Sequence, residues 1–312
     1  MTNSPYVLVT PAKNEQEFIE KTIESVIAQS VKPSLWVIVS DGSTDRTEEI
    51  VDFYAQQHEF IQLLRRNSGE HCFGSKVQAF EAGCNAIGEL PYEFIGNLDA
   101  DIALPPDYYE RLISEFNKDA ELGLAGGTRC DLRQGVFVPI RFNSFDIGGA
   151  YQLFRRDCFD RIGGYLQMEL GGEDTIACVS ARAHGWKAQA FQDLVAYHYR
   201  PTGAAQGNLI RTGYRTGKKR FQMGYHPLFE FVKLVRVRSL GEVLHNCFEL
   251  CGFAISPLVG SPRRVPKETI DFLHAEQMAR LRATIVGFRD PAAGCVSNCG
   301  TDREVFTHQE IN

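Results

Sequence analysis

The first residues that suggest chemistry are two acids separated by one residue, Asp99 and Asp101, which follow the apolar run 94–96. Side chains alternate along an extended chain, so two carboxylates at this spacing point to the same side. Such a pair can bind one hard cation, because Mg²⁺ takes one or two protein carboxylates and completes its shell with water and phosphate oxygens. The same pattern is also typical of a solvated loop, so other parts of the chain have to decide between the two interpretations.

Three further places carry residues of the right kind. Asp41 and Ser43 follow a second apolar run, where they can accept hydrogen bonds from a base or a ribose, or can simply cap a helix. Glu173 and Asp174 stand at a helix start, a position that the helix dipole favours for acids on structural grounds alone. His198 lies in an apolar run and is either a core histidine or a third ligand for a cation already held by carboxylates.

The first half of the chain alternates short apolar runs with helical patterns. Strands are predicted at 6–10, 35–39, 61–64 and 94–98, and helices at 18–27, 46–57, 75–87 and 106–117. This alternation predicts an α/β fold with a mostly parallel sheet, in which ligands bind at the carboxyl ends of the strands. Thr10, Pro11, Asp41, Asp99 and Asp101 all fall at such ends, so we expect them to share one crevice.

The second half is less regular. Strands are predicted at 122–128, 137–142, 148–154 and 194–199, and helices at 157–162 and 175–184. Beyond residue 203 helical patterns prevail, among them 266–281 and a helix that Ser239 and Glu242 introduce with a capping-box pattern. After residue 288 no periodicity remains, which predicts a flexible tail.

Composition and charge exclude several classes of protein. The chain has 312 residues, 44% of them apolar and 23% charged, as is ordinary for a soluble globular protein. Its net charge is −6, yet residues 207–240 hold eight Lys and Arg against one Glu. An acidic body with one basic segment argues against broad nucleic-acid binding and favours a local anionic partner, either a phosphate-bearing substrate or a lipid surface. A polar N-terminus and nine cysteines without metal-type spacing predict a cytoplasmic protein with reduced thiols.

The longest charge-free run of the C-terminal part, 250–262, contains Pro257 and is too short to span a bilayer. It fits a helix packed in a core. With the basic residues nearby it also fits a helix that lies in the interface of an anionic membrane.

Five motifs stand in a fixed order along residues 5–200. They are Pro11-Ala12-Lys13-Asn14-Glu15, Asp41-Gly42-Ser43, Asp99-Ala100-Asp101, Gly172-Glu173-Asp174 and His198-Tyr199-Arg200. Together they resemble the inverting family-2 glycosyltransferases, which have the nucleotide-diphospho-sugar (GT-A) fold. The resemblance implies a catalytic domain over 1–204 with a mostly parallel mixed sheet flanked by helices. A helical, basic and amphipathic appendage would follow over 205–288, and a flexible tail over 289–312.

The resemblance also implies roles for individual residues. The nucleotide of the donor would be bound by Thr10, Pro11, Glu15, Asp41, Ser43, Lys76 and Asp99. Mg²⁺ or Mn²⁺ bridging the donor diphosphate would be held by Asp101, Asp99 and His198. Asp174 would be the general base that takes the proton of the acceptor hydroxyl, and Glu173 would support it.

The implied reaction moves one sugar from a nucleotide-diphospho-sugar to a glycan or lipid-linked acceptor, in exopolysaccharide, glycan or glycolipid synthesis at the cytoplasmic face of the membrane. No Gln-x-x-Arg-Trp follows Asp174, so we expect a non-processive enzyme. A nucleotidyltransferase that makes sugar nucleotides is an alternative, but it would need a glycine-rich basic loop where residues 11–15 stand. A catalytically silent protein that binds sugar nucleotides or lipids would not need Asp101, Asp174 and His198 together.

Overall fold

The computed structural model describes residues 4–66, 74–140, 143–200, 209–233, 240–289 and 306–307. The chain forms two compact units, one of residues 1–202 with 306–312 and one of residues 203–305. The first unit is α/β, and the second consists of helices where it is described. The predicted α/β class with C-terminal helices is therefore confirmed. The predicted domain boundaries at residues 204 and 288 stay predictions.

Every element predicted for residues 6–98 is present, with bounds that differ by one or two residues. These elements are β1 (Tyr6–Ala12), α1 (Ile19–Ile27), β2 (Leu35–Asp41), α2 (Thr47–Ala55), β3 (Ile61–Arg66), α3 (Gly74–Ile87) and β4 (Phe94–Asn97). The strands pair in parallel in the order β4-β1-β2-β3. Because all four run in the same direction, the turns that follow β1, β2 and β4 lie at one edge of the sheet.

The remaining elements of this unit complete a mixed sheet of ten strands. They are β5 (Ile102–Ala103), α4 (Tyr108–Lys118), β6 (Leu122–Arg133), β7 (Val136–Pro139), a 3₁₀ turn (Gly149–Tyr151), β8 (Leu153–Arg155), α5 (Arg156–Ile162), α6 (Glu173–Ala183), β9 (Lys187–His198) and β10 (Phe306–Thr307). Strand β8 is antiparallel to both β4 and β6, whereas β9 is parallel to β6.

Sequence patterns fail where strands leave the core. β6 runs to residue 133 and not to 128, and β9 begins at 187 and not at 194. In the first half of β9, Lys and Gln interrupt the apolar residues and only Ala188 is buried, so no apolar run marks it. The strand predicted at 148–154 is instead a 3₁₀ turn followed by β8, and the end of the strand predicted at 137–142 lies outside the described residues.

An irregularity in the pairing of β6 with β9 sets the register near the site. The register shifts between Gly126 and Thr128. Gly127 allows the two backbones to approach, since a Cβ there would lie 2.1 Å from the carbonyl oxygen of Leu194. Beyond the shift, Asp131 of β6 stands directly opposite His198 of β9.

The second unit contains α7 (Leu209–Gln222), α8 (Pro227–Lys233), α9 (Leu240–Ile255) and α10 (Lys267–Arg289). Helices α7 and α9 touch through their backbones, because a Cβ on Gly217 would lie 1.8 Å from the carbonyl oxygen of Glu249. No helix among the described residues is long and apolar enough to cross a membrane. Ser239 of the predicted capping box lies outside the described residues. Two residues of the segment predicted to be a flexible tail, Phe306–Thr307, pair with β7.

Candidate active site

The turns that follow β1 and β2 are bound to each other by side chains. Ser43 accepts a hydrogen bond from the backbone N–H of Asn14 at 3.2 Å, and Asn14 in turn accepts one from the N–H of Thr44 at 2.8 Å. The N–H of Glu15 donates to the hydroxyl of Thr47 at 2.7 Å. Ser43, predicted to bind the nucleotide, thus holds the neighbouring turn in place.

Thr10 and Pro11 occupy different surroundings at the end of β1. Thr10 is completely buried, and its hydroxyl accepts a hydrogen bond from the indole N–H of Trp36 at 2.9 Å. This placement commits the Thr10 hydroxyl to the core and does not support the predicted contact with a nucleotide. Pro11 is half-buried and lies opposite Val39 of β2.

Asp41 is buried at the end of β2, beside a cation. The hydroxyl of Ser75 donates to its carboxylate, and the guanidinium of Arg66 lies 3.5 Å away. Arg66 also donates to the side chain of Gln78 at 2.7 Å, which fixes the direction of the guanidinium. Asp41 at the end of β2 and Arg66 at the end of β3 therefore form an ion pair with a fixed orientation.

Lys76 and Asn97 hold Asp99 from two sides. The ammonium of Lys76 lies 2.8 Å from the Asp99 carboxylate. Burial by itself lowers the pKa of Lys76, but the charges of Asp99, Glu173 and Asp174 outweigh it and raise the pKa above its ordinary value. The side-chain amide of Asn97 donates to Asp99 at 3.1 Å and also to the carbonyl of Gly149. Asn97, for which the sequence alone offers no role, therefore joins Asp99 to the segment before β8.

Asp174 stands at the start of α6, behind a turn that only glycines adopt easily. Gly171 and Gly172 have φ of +79° and +104°, in the left-handed region. The Asp174 carboxylate accepts hydrogen bonds from the N–H of Gly149 at 3.1 Å and of Thr175 at 2.8 Å. Hydrogen bonds to both oxygens therefore fix the orientation of the Asp174 carboxylate.

Of the predicted acids, Glu173 and Asp174 share one small cleft with Lys76. It is lined by Lys76, Val77, Phe80, Asn97, Gly149, Tyr165, Glu173 and Asp174. The structure therefore brings the starts of α3 and α6 next to the end of β4.

His198 lies between two carboxylates and is only 7% exposed. Its Nε2 is 3.5 Å from Asp101, and its Nδ1 is 3.0 Å from Asp131. Burial acts to lower the pKa of His198, yet the hydrogen bonds and charges of the two acids raise it overall. Asp131 was not predicted from the sequence, because the predicted strand ended three residues before it. An acid next to the apolar run was the available signal.

Arg200 links the predicted nucleotide end to Asp101. Its guanidinium forms a two-pronged ion pair with Glu15, with Nη1 3.1 Å from Oε1, and its Nε lies 4.0 Å from Asp101. Burial raises the pKa of Glu15, and the bond with Arg200 opposes that effect. The Glu15 carboxylate, which was predicted to contact the nucleotide, is therefore already paired with Arg200.

The predicted cation ligands do not all come together. The Asp99 carboxylate is engaged by Lys76 and Asn97, and only Asp101 and His198 contact each other. In the part of the chain that is described, no group of three or more His, Cys, Asp or Glu residues is arranged to hold a metal. Mg²⁺ and Mn²⁺ can be held by fewer protein ligands when phosphates and water complete the shell. Asp101 and Nε2 of His198 fit that smaller set, because Nδ1 is turned away towards Asp131.

Solved structures show the fold to which this sheet belongs. A mannosyltransferase from Pyrobaculum calidifontis, in complex with GDP-Man and Mn²⁺, is 17% identical and matches with a TM-score of 0.54 over 92% of this chain and 81% of its own. Residues 1–349 of TarS from S. aureus, in complex with UDP-GlcNAc, are 14% identical and match with a TM-score of 0.53 over 91% of each chain. The chain has the GT-A fold.

A match in sequence agrees with the motifs. Residues 7–156 match the model of glycosyl transferase family 2, so the resemblance to this family that the motifs predict is confirmed. A relative is the poly-beta-1,6-N-acetyl-D-glucosamine synthase of Staphylococcus aureus (strain COL), 31% identical over 194 residues, which are 56% of this chain. The match spans only 45% of that synthase, so the chain corresponds to less than half the length of this relative. This match supports the expectation of a transferase.

Proposed function

We propose that this protein is an inverting, metal-dependent glycosyltransferase that moves one sugar from a nucleotide-diphospho-sugar to an acceptor hydroxyl. The observation that carries the proposal is the position of Asp174. Its carboxylate is held by two backbone N–H groups in the cleft that also contains Lys76, at the edge of the sheet where β4 delivers Asp99 and Asp101. The proposed base and a cation suited to phosphates therefore lie in one cleft, and that cation contacts Asp99 of the acid pair that follows β4.

The donor lies along the carboxyl ends of the strands. Asp41 and Pro11 bind its nucleoside, and Lys76 binds its phosphates, for which the ammonium gives up part of its contact with Asp99. Asp101 and His198 are the residues that hold the divalent cation. When bound, that cation stabilises the negative charge that develops on the departing nucleoside diphosphate.

Asp174 takes the proton of the acceptor hydroxyl. A carboxylate that accepts two hydrogen bonds still has lone pairs for a third partner, so the bonds from Gly149 and Thr175 orient it without blocking it. General-base assistance of this kind contributes roughly 10²–10⁴-fold to the rate. Attack comes from the face of the sugar opposite the leaving group, which inverts the anomeric centre, and Glu173 supports the base from the start of α6.

The related proteins guide the choice of substrates. The names of the matched relatives contain N-acetylglucosamine, UDP-GlcNAc and GDP-Man, so we place the donor among UDP- and GDP-hexoses. The acceptor is a glycan or a lipid-linked saccharide, and the pathway is polysaccharide, glycan or glycolipid synthesis. One sugar is added per encounter.

The experiment is a transfer assay with UDP-, GDP- and dTDP-sugars, with Mn²⁺, with Mg²⁺ and with EDTA. Nuclear magnetic resonance of the product reports the configuration at the anomeric carbon. We expect turnover of one donor, loss of turnover in EDTA and inversion. Absence of both turnover and metal-dependent nucleotide binding contradicts the enzyme, and retained configuration contradicts the assigned base.

We further propose that the second unit lies on the cytoplasmic face of an anionic membrane. In helix α9 the usual distribution of polar and apolar residues is reversed, because its acid Glu249 is buried and pairs with Arg220. Apart from Glu242, its exposed positions are apolar, and they continue into a turn with Leu258 and Val259, which are 83% and 63% exposed. Residues 203–305 carry 15 Lys and Arg against 9 Asp and Glu, so this surface complements acidic head groups and would repel a second copy of itself.

Binding of the full-length protein to vesicles tests this surface. We expect it to sediment with vesicles that contain phosphatidylglycerol and much less with pure phosphatidylcholine. A Leu258→Glu/Val259→Glu variant should stay in solution, whereas the control Phe53→Glu, at a residue 59% exposed on α2, should behave as the parent. Failure of the parent to bind, or association of the chain into dimers that the double variant abolishes, contradicts a membrane as the partner.

A further inference from the structure

Asp131 is a buried acid to which neither the motifs nor the family match assigns a role. It is 1% exposed and lies on β6 directly opposite His198 of β9. Its Oδ1 is 3.0 Å from Nδ1 of His198. Residues opposite each other on parallel strands present their side chains to the same face, so the short distance follows from the register beyond Gly127.

A hydrogen bond to one imidazole nitrogen decides what the other can do. A carboxylate only accepts hydrogen bonds when it is ionised, so Asp131 requires a proton on Nδ1 of His198. The lone pair of the neutral ring is then on Nε2, the atom 3.5 Å from Asp101. Histidines that ligate metals commonly donate their other N–H to a carboxylate in this way.

We propose that Asp131 is a positioning residue that holds His198 in the Nδ1–H tautomer and so prepares Nε2 to ligate the divalent cation of the donor complex. The inference rests on the metal site of the proposed function. As a ligand, His198 would coordinate through the lone pair of Nε2 and keep the proton on Nδ1, where it is hydrogen-bonded to Asp131. Asp131 contacts Nδ1 and not Nε2, so it acts through His198 and is not a ligand itself.

Neighbouring arginines explain why Asp131 does not need a charged histidine. Arg129 has its Nε 2.9 Å from Oδ1, and Arg133 has Nη2 3.6 Å from Oδ2. A carboxylate as buried as Asp131 is costly without compensation, and these two guanidinium groups supply it. His198 can therefore be neutral beside Asp131, as a metal ligand must be.

Cation affinity is the first test. Binding of Mn²⁺ to the full-length protein in the presence of UDP or GDP is followed by the electron paramagnetic resonance signal of free Mn²⁺. We expect Asp131→Asn to weaken binding by about 10–100-fold. The matched control Asp193→Asn, the same change at an exposed carboxylate of β9, should leave the affinity near that of the parent.

A double variant separates positioning from the simple loss of a negative charge. If Asp131 acts through His198, Asp131→Asn should cause no further loss of Mn²⁺ affinity in a His198→Gln background. Equal losses in both backgrounds overturn the inference, since they would show Asp131 acting directly on the cation.

The tautomer itself is measured without metal. Long-range ¹H–¹⁵N spectra of protein labelled at histidine, recorded at a pH where the ring is neutral, should show His198 protonated on Nδ1. Asp131→Asn should shift the population towards Nε2–H, while the control Asp193→Asn should not. An Nε2–H ring in the parent overturns the positioning role, and this result does not need a folded variant. An unchanged ring in Asp131→Asn overturns it as well. A parent with the expected tautomer that binds no Mn²⁺ overturns the metal site instead, and with it the purpose of the positioning.

Discussion

Gly149 donates its backbone N–H to the carboxylate of Asp174 at 3.1 Å and leaves no space there for a side chain. A Cβ on Gly149 would lie 2.8 Å from the Cβ of Asp174. The carbonyl of the same glycine accepts a hydrogen bond from Asn97, whose amide also binds Asp99. One glycine thus couples the acid at the end of β4 to the acid at the start of α6.

Replacing Gly149 by alanine should therefore impair catalysis more than donor binding. The added methyl group displaces the Asp174 carboxylate, and a misplacement of about 1 Å can cost roughly 10²-fold in rate. Steady-state kinetics should show a large fall in kcat with a small change in the KM of the donor. In an Asp174→Asn background the same change should have little further effect, and a full additional loss would show that Gly149 acts elsewhere.

Asp174→Asn should abolish transfer while donor affinity stays close to that of the parent. The amide keeps the size of the side chain and can still accept a hydrogen bond, but it cannot take a proton, so about 10²–10⁴-fold in kcat should be lost. Calorimetric titration with nucleotide and Mn²⁺ checks binding separately from turnover. Loss of nucleotide binding in this variant would reassign Asp174 to the donor site.

Gly217→Ala should destabilise the helical unit. A Cβ at this position would lie 1.8 Å from the carbonyl oxygen of Glu249, so α7 and α9 would have to move apart at a cost of about 1–3 kcal/mol. The matched control is Gly241→Ala on α9, where a Cβ meets nothing within 4 Å, and it should stabilise by up to about 1 kcal/mol. Hydrogen exchange of α7 and α9 amides measures both. Similar exchange in the two variants would show that the helices are not in backbone contact.

The helical unit should lose stability as the pH rises from about 4.5 to about 8. Burial raises the pKa of Glu230 from 4.5 to about 8, against the attraction of Arg220 and with a contribution from Glu249. In this window the unfolded chain has released a proton that the folded state retains, so the free energy of unfolding falls with increasing pH. Glu230→Gln should flatten the dependence, and Glu268→Gln, at an exposed position, should leave it intact. The measurement is the free energy of unfolding from hydrogen exchange, corrected for the intrinsic exchange rate at each pH. If this free energy falls equally steeply with pH in Glu230→Gln, the titrating group lies elsewhere.

The first half of the fold could be read from the sequence because its strands are buried on both faces. Residues 6–12 and 35–41 form near-continuous apolar runs, and such runs mark parallel strands between helices. Helix α1 shows the matching pattern, with Ile19, Ile23 and Val26 buried on one side. β6 and β9 could not be bounded in this way, since each extends beyond the core into polar residues whose pairing depends on the partner strand.

By itself the sequence determined the α/β class, the resemblance to glycosyl transferase family 2 and the order of the acids along the sheet edge, because apolar periodicity and strand-end turns are local properties. Tertiary structure alone decided which groups touch. In the folded protein Thr10 contacts Trp36 in the core, Asp99 pairs with Lys76, and Asp131 lies against His198. Those pairings join residues far apart in the chain, and they depend on the register between strands, which one irregularity at Gly127 is enough to change.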